Sequence, residues 1–338
     1  MDLNTVWFLL IGVLLTGYAI LDGFDLGVGV LHLFARSEEE RRIHINAIGP
    51  VWDGNEVWLL TAGGALFAAF PVVYATVFSG YYLALMLVLV ALILRAVSFE
   101  FRGKVASPVW RRLWDWAFGL GSLVPAVVFG VAVGNILRGL PFDADGNLEV
   151  SLAGLLNPYA LVIGLLSLAM FLMHGATYLT LKTDGALRER MAAWAGRLWV
   201  AYVLMFVVAS VATFAAAPWL FRGAGPSPLT WVCAAALLTA EFFLPVSLKD
   251  RRFGRAFLAS SVSIAAQIGL AAVALFPRLV PARPDLARSL TIYNASSTPR
   301  TLTTMLIIAL IGMPFVVAYT VIIYRVFKGK TVLNESSY

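Results

Sequence analysis

The sequence predicts an all-α, polytopic membrane protein with about nine transmembrane helices. Hydrophobic residues make up 60% of the 338 residues and charged residues only 13%, whereas a soluble domain is about 25% charged. Apolar runs long enough to span a bilayer, which takes about 20 residues, recur between charged or Pro/Gly-rich breaks. We therefore expect one integral membrane domain over residues 1–338, with little mass outside the bilayer.

The apolar runs divide the chain into nine approximate spans. These are 6–34, 50–70, 76–98, 113–137, 158–181, 198–220, 230–248, 256–276 and 302–325. The second span is the most polar, because it opens with the segment WDGNE at 52–56. It ends at Phe70-Pro71, where proline favours a break in the helix.

The distribution of Lys and Arg predicts the orientation of the chain. With the N-terminus outside, the segments that face the cytoplasm hold 19 of the 25 Lys and Arg residues, and the outer segments hold the other 6. Cytoplasmic loops are enriched in these residues, so we expect the N-terminus outside and the C-terminus in the cytoplasm. This alternation requires span 50–70 to cross. It also explains the net charge of +6 without a nucleic-acid partner.

Cysteine and histidine are scarce. The single cysteine, Cys233, excludes an intrachain disulfide, a CxxC redox pair and a CxxCH haem attachment. The three histidines are His32, His44 and His174. His174 lies within a span, where it would either ligate haem iron or, as we favour, pack through hydrogen bonds. The histidines form no metal-binding motif, so we predict no metal site.

Five acidic residues lie within predicted spans, where a carboxylate costs several kcal/mol and indicates function. They are Asp22, Asp25, Asp53, Glu56 and Glu241. We expect a structural role for Glu241, either neutralising an arginine or capping a kinked helix. Arg95 and Arg102, at the inner end of span three, are interpreted as part of a charged, aromatic interface without chemistry.

The first acidic pair is Asp22 and Asp25. Their spacing of three residues puts both on one helix face. Gly23, Gly27 and Gly29 remove bulk beside them, so that a neighbouring helix or a flat cofactor can approach closely. Proton transfer or a cofactor contact is one interpretation, and a carboxylate that only joins two helices is the other.

The second pair, Asp53 and Glu56, repeats this spacing beside Trp52 and Asn55. An interfacial helix start would also explain the pair, because tryptophans favour the interface and acids favour a helix N-terminus. The predicted orientation puts Asp53 near the cytoplasmic surface. Asp25 lies about 13 Å deeper at 1.5 Å per residue. We therefore predict a proton-uptake route from the cytoplasm through these acids.

Several motifs in this order resemble subunit II of the cytochrome bd quinol oxidases. They are LDGFDLGVG at 21–29, RRIHINAIGP at 41–50, WDGNEVWL at 52–59, TAGGALFAAFP at 61–71, FSG at 78–80, WDW at 114–116, GVAVGN at 130–135, GLPF at 139–142, LNPY at 156–159 and GATYL at 175–179. The likeness covers most of the chain and is far more specific than a single motif.

The resemblance implies a complex that oxidises quinol and reduces dioxygen to water in the bacterial cytoplasmic (inner) membrane. Haem b and haem d would be held mainly by a larger partner, subunit I. This chain would form two four-helix bundles plus a peripheral helix, surrounded by lipid. A small accessory subunit and a structural quinone in this subunit are left open. The chain alone is not expected to be catalytic.

The resemblance also implies roles for individual residues. Asp53 matches the aspartate placed where protons are taken up from the cytoplasm, and Asp25 matches the aspartate that faces the subunit boundary near the haems. Haem contacts are expected near Asp25 and Gly29. Protons for water would come from inside, and quinol would release its protons outside.

Two other classes of function fit the residues alone. A proton-coupled transporter would also carry midplane acids and glycine-broken helices, but no paired inverted repeat is visible. A scaffold in which the acids only join helices is the second alternative. Assembly of this chain with a haem-bearing partner would favour the oxidase interpretation over both alternatives.

Overall fold

The computed structural model describes residues 2–143, 148, 150–221 and 227–333. The described chain consists of helices, connecting segments and four short strands. Its helices are α1 (Leu3–His32), α2 (Glu38–Ile48), α3 (Trp52–Ala69), α4 (Pro71–Gly80), α5 (Tyr82–Phe101), α6 (Pro108–Arg138), α7 (Leu152–Leu155), α8 (Pro158–Lys182), α9 (Gly185–Ala216), α10 (Pro228–Lys249), α11 (Phe253–Leu275) and α12 (Pro299–Val326).

In the described part of the chain, eight helices are long and apolar enough to cross a membrane. They are α1, α5, α6, α8, α9, α10, α11 and α12. The predicted all-α, polytopic fold is therefore confirmed. The remaining predicted span, 50–70, is occupied by α3. Its 18 residues reach about 27 Å, but the acids near its start make it more polar than the other eight.

Of two boundaries in this part of the chain, one differs from the prediction and one agrees with it. The predicted third span, 76–98, is wrong at its start, because a separate helix, α4, ends at Gly80 and α5 begins at Tyr82. The break predicted at Phe70-Pro71 is present, with Pro71 in the first turn of α4. Proline suits that position because its missing N–H would have no partner in a first turn.

The long helices form two groups. Helices α1, α3, α5 and α6 pack together, α8 packs with α9 and α11, and α10 packs mainly on α11. The groups meet where α8 crosses α1 and α6. The last helix, α12, contacts α1 and α3, and in this fully described helix Leu302 is the one buried residue. This arrangement agrees with two four-helix bundles and a peripheral helix.

At the end of the molecule that carries most of the Lys and Arg residues, helices extend beyond the predicted spans. Helix α2 occupies a segment that was predicted as a loop. Ser37 caps it by accepting a hydrogen bond from the Glu40 N–H, and its first turn holds three glutamates, which suit a helix N-terminus. Helix α9 begins at Gly185 rather than near residue 198.

At the opposite end, two loops contact each other through short strands. Strand β1 (Leu140–Pro141) pairs with β3 (Ala282–Arg283), and β2 (Arg278–Val280) pairs with β4 (Leu290–Thr291). These pairings satisfy backbone groups that a loop would otherwise leave without partners. They also join the end of the first helix group to the end of the second.

Candidate functional site

A buried ion pair joins α1 to α5. The Arg95 guanidinium donates to both Asp22 carboxylate oxygens, at 2.7 and 3.3 Å, and both side chains are fully buried. A bidentate arginine–carboxylate pair is among the strongest hydrogen-bonded arrangements in proteins. The interface interpretation of Arg95 was therefore wrong: this residue belongs to the polar interior of the first helix group.

Asp25 lies beside this pair and is only partly satisfied. Its Oδ2 accepts a 2.8 Å hydrogen bond from the Asn55 amide and lies 4.0 Å from the Arg95 guanidinium. Its Oδ1 is buried and has no hydrogen-bond partner within the described residues. The predicted shared face of Asp22 and Asp25 is confirmed, since both reach Arg95.

Asn55 connects three helices at this point. Its amide nitrogen donates to Asp25 and to the Leu21 carbonyl, at 2.8 and 3.1 Å. Its amide oxygen accepts a 3.0 Å hydrogen bond from the Tyr324 hydroxyl. Asn55 therefore fixes the position of Asp25 and attaches the peripheral helix α12 to the site.

The second acidic pair leads outward from the buried residues. A Glu56 carboxylate oxygen lies 3.7 Å from the Arg95 guanidinium, and its side chain is 22% exposed. Asp53, one turn earlier on α3, is exposed. Trp52 is stacked on Phe99 with ring centroids 4.8 Å apart. We use the name buried charge cluster for Asp22, Asp25, Asn55, Glu56 and Arg95.

The glycines of α1 serve helix contacts. A methyl group at Gly27 would overlap the Phe171 carbonyl of α8, and one at Gly175 would lie 2.7 Å from the Gly27 backbone. Gly29 faces Ser122 of α6 in the same way. The close approach predicted from these glycines thus brings α8 and α6 onto α1. A haem contact near Asp25 and Gly29 stays a prediction.

A second ionic group lies at the basic end of the molecule. Arg102 donates to Asp115 at 2.6 Å and to both carboxylate oxygens of Glu38, at 3.0 and 2.8 Å. Asp115 also accepts a 2.7 Å hydrogen bond from His32 Nε2. The sequence interpretation of a charged interface fits this group. These contacts fix the ends of α1, α5 and α6 relative to α2.

His44, on α2 between the spans, lies next to this group. The His32 and His44 ring centroids are 6.2 Å apart. Burial, together with the charges of His32 and Arg190, lowers the pKa of His44 to about 3, although Glu40 opposes the shift. His44 is therefore neutral at physiological pH.

His174, the histidine in the middle of a span, is held by hydrogen bonds and is not free to bind haem iron. Both ring nitrogens of His174 are engaged, since Nε2 donates to the Ile20 carbonyl at 2.9 Å and Nδ1 lies 2.7 Å from Ser260 Oγ. His32 is bonded to Asp115, and His44 lies next to His32 and near Arg190. Within the described residues, no group of three or more His, Cys, Asp or Glu side chains is placed to hold a metal ion.

Glu241 occupies a separate polar site in the second helix group. It accepts hydrogen bonds from Trp199 Nε1 at 2.8 Å and from Ser263 Oγ. The structural role expected for Glu241 is therefore supported. The suggestion that it neutralises an arginine was wrong, because its partners are a tryptophan and a serine.

The sequence missed two members of the central site. Arg95 follows 13 residues of α5 that carry no charge, and a lone arginine there is as costly in a bilayer as the acids that were singled out. That cost could have identified Arg95 as a candidate site residue from the sequence. Tyr324 gave no signal, because its contact with Asn55 spans 269 residues and depends on how α12 docks.

The fold and the cluster together define a class: polytopic α-helical membrane proteins that hold charged groups inside the bilayer. The family described as cytochrome bd terminal oxidase subunit II matches residues 3–327. The chain belongs to this family. It is therefore a subunit of a quinol oxidase, an oxidoreductase complex that contains haem.

Individual proteins agree with this assignment along their whole length. The chain is 40% identical to cytochrome bd-I ubiquinol oxidase subunit 2 of Escherichia coli, over 97% of this chain and 95% of that one. It is 38% identical to cytochrome bd ubiquinol oxidase subunit 2 of Bacillus subtilis, over 99% and 98%. A chain in the structure of bd oxidase from Geobacillus thermodenitrificans has the same fold, with a TM-score of 0.79, 20% identity and coverage of 97% and 99%.

Proposed function

We propose that this subunit carries protons from the cytoplasmic side toward the site of dioxygen reduction, through Asp53, Glu56 and the buried charge cluster. The observation that carries the proposal is the incomplete hydrogen bonding of the Asp25 carboxylate. One of its oxygens is buried and lacks a partner within the described residues. Three carboxylates, those of Asp22, Asp25 and Glu56, face the single guanidinium of Arg95, so a bound proton would help to balance the charge.

The geometry supplies a graded path for such a proton. Asp53 is exposed, Glu56 is partly exposed and Asp25 is fully buried. Asp53 and Glu56 are three residues apart on α3 and share a helix face. Arg95 lies within 4.0 Å of both Glu56 and Asp25. A carboxylate can accept a proton at one oxygen and release it from the other.

The proposed orientation places Asp53 in contact with the cytoplasm. Asp53 lies in the first turn of α3, at the end of the molecule that holds most of the Lys and Arg residues. The positive-inside rule assigns that end to the cytoplasm. Moving one charge across the membrane against 100 mV costs about 2.3 kcal/mol, so taking protons from this side conserves energy.

The haems of the complex would be held by a larger subunit I, in keeping with the hydrogen bonds that occupy both ring nitrogens of His174 in this chain. Haem b and haem d would supply electron transfer and dioxygen reduction there. The relatives from Escherichia coli and Bacillus subtilis are named ubiquinol oxidase subunits, and we propose a quinol as the electron donor here, in the inner membrane of a bacterium. A small accessory subunit, bound lipid and a structural quinone remain compatible with the exposed apolar helices.

The test is oxygen consumption by the purified complex carrying Asp53→Asn. This change keeps the side-chain size and removes the group that takes up the proton. We expect the rate of quinol oxidation to fall at least about tenfold, because one proton-transfer group is lost. Haem content and the yield of the complex should stay unchanged, because Asp53 is exposed and forms no hydrogen bond or ion pair with the described residues of the cluster.

Asp250→Asn is the matched control, since Asp250 is an exposed acid at the end of α10 and also lies at the basic end of the molecule. It should leave the rate unchanged. Full activity of the Asp53 variant would refute the proposed uptake point. Loss of haem from that variant would show instead that Asp53 serves assembly.

A further inference from the structure

A cavity of about 320 Å³ opens at the basic end of the molecule, away from the buried charge cluster. It lies between the end of α1, the start of α2 and the first turns of α6. Its lining includes Glu38, Arg41, Arg111, Arg112, Asp115 and Trp116. Neither the family assignment nor the proposed proton route uses this cavity.

The cavity carries an excess of positive charge. Its two carboxylates, Glu38 and Asp115, are both bonded to Arg102. Arg41 lies 3.5 Å from Asp115 and Arg111 lies 3.7 Å from Glu38, distances longer than those made by Arg102. Arg112 is exposed. Arg102 thus neutralises much of the charge of the two carboxylates, and the three arginines of the lining, Arg41, Arg111 and Arg112, retain N–H donors for an anion.

A polar group at the base of the cavity also lacks a partner. His32 lines the cavity and is fully buried. Its Nε2 donates to Asp115, while its Nδ1 has no hydrogen-bond partner within the described residues. A buried polar atom without a partner is costly. Because Nε2 already donates, Nδ1 can donate to an anion only in the protonated ring, and an anion in the cavity would favour that form.

An apolar stripe runs from the mouth of the cavity along α6. Val109, Leu113, Trp116 and Leu120 are all exposed, and their spacing of three and four residues puts them on one helix face. Trp116 belongs to both the cavity lining and the stripe. Tryptophan is enriched at the level of the lipid headgroups. The surface is therefore basic in the cavity and apolar immediately beside it.

We propose that this cavity binds the phosphate of an anionic phospholipid, whose acyl chains lie along the stripe on α6. Arginine donors match phosphate oxygens in pairs, and the start of α6 adds a favourable helix dipole. The continuous apolar stripe favours a lipid over free phosphate as the source of that group. Anionic lipids are attracted to basic segments at the cytoplasmic surface.

The test is native mass spectrometry of the delipidated complex with added didecanoyl phosphatidylglycerol. The variant Arg111→Gln/Arg112→Gln removes two of the arginines, and Arg197→Gln/Arg255→Gln is the matched control, because those two arginines are exposed at the same end of the molecule. The most tightly bound phosphatidylglycerol molecule has the lowest dissociation constant. We expect that constant to be at least about tenfold higher in the first variant than in the native complex. The control variant should bind it as the native complex does.

Two further probes separate the sources of the anion. Didecanoyl phosphatidylcholine should bind more weakly than phosphatidylglycerol, because it has no net charge. Inorganic phosphate should displace phosphatidylglycerol only at much higher concentration. Equal binding of the two lipids, or tighter binding of phosphate alone, would overturn the assignment to an anionic lipid.

Arg112→Gln alone provides a milder change, since Arg112 makes no ion pair within the described residues. We expect it to weaken phosphatidylglycerol binding about threefold or more. Unchanged binding in both arginine variants would overturn the proposal. If both arginine variants lost subunit I while the control variant retained it, the cavity would be a protein interface. That result would also overturn the lipid proposal.

Discussion

Arg95 and Asp22 form a fully buried, bidentate ion pair between α5 and α1, with nitrogen–oxygen distances of 2.7 and 3.3 Å. The two residues are 73 positions apart in the chain. Because neither side chain reaches solvent, each charge depends on the other for its compensation. The pair therefore fixes the packing of the two helices as well as the charge of the site.

Arg95→Gln should prevent stable assembly of the complex. The change leaves the carboxylates of Asp22, Asp25 and Glu56 without a cation, and removing one partner of a buried pair costs about 3–5 kcal/mol. The measurement is the yield and thermal unfolding midpoint of the tagged complex in detergent.

The double variant Arg95→Gln/Asp22→Asn is the control for this effect. It removes both charges of the pair and leaves two neutral polar side chains, so we expect part of the stability to return. If the single variant were as stable as the native complex, the ion pair would not be needed for packing. If the double variant were no better than the single one, compensation of the Asp22 charge would not be the reason.

Tyr324→Phe should loosen α12 without preventing assembly. The hydroxyl of Tyr324 donates to Asn55 at 3.0 Å, and a lost hydrogen bond of this kind costs about 0.5–1.5 kcal/mol. Proteolysis within the C-terminal segment, followed over time, should be faster in the variant. Tyr319→Phe is the control, since Tyr319 lies on the same helix and is 56% exposed. Equal proteolysis of both variants would contradict the role of Tyr324.

Gly27→Ala should destabilise the contact between α1 and α8. A methyl group there would overlap the Phe171 carbonyl, and overpacking of this kind costs about 1–3 kcal/mol. Gly63→Ala, in α3, has open space around the added methyl group and should be neutral or slightly stabilising. The measurement is the thermal unfolding midpoint of each variant, compared with that of the native complex. A neutral Gly27→Ala variant would contradict the close helix approach.

Acid should destabilise the protein through His44. Burial lowers the pKa of His44 to about 3 in the folded chain, while the unfolded chain binds that proton near pH 6.5. The unfolded state thus binds more protons between these values, and stability falls as the pH drops below about 6.5. The loss is at most about 1.4 kcal/mol per pH unit from this residue. Thermal unfolding between pH 7 and pH 5 measures it.

His44→Met tests the assignment of this acid sensitivity. Methionine fills a similar volume and does not titrate, so the unfolding midpoint of the variant should depend less on pH than that of the native complex. Identical pH dependence in the two proteins would mean that other groups, such as the acids near His44, cause the effect.

Much of the architecture could be predicted because a bilayer imposes a simple rule on sequence. Long apolar runs gave most of the spanning helices, and the break at Phe70-Pro71 followed from proline geometry. The start of α5 was missed, since the apolar run continues through Gly80 and Tyr82 and hides the change of helix. Helix α2 was missed because its sequence is polar and its capping by Ser37 is a local signal.

The site was predicted in part for the same reason. Intramembrane acids are expensive and therefore conspicuous, which singled out Asp22 and Asp25. Arg95 was assigned to an interface because the estimated end of span three lay close to it. A shift of a few residues in that boundary changes a surface arginine into a buried one. The contact between Asn55 and Tyr324 could not be predicted, because it depends on tertiary packing.

The most direct test of the proposed proton route is the uptake of protons during a single turnover. The reduced complex, reconstituted in liposomes with its basic end outward, is mixed with dioxygen and a pH-sensitive dye in the outer solution. We expect uptake to be slowed by Asp53→Asn, in step with oxygen consumption, and unchanged by Asp250→Asn. Proton uptake by the Asp53 variant at the native rate would contradict the central claim that protons enter through Asp53.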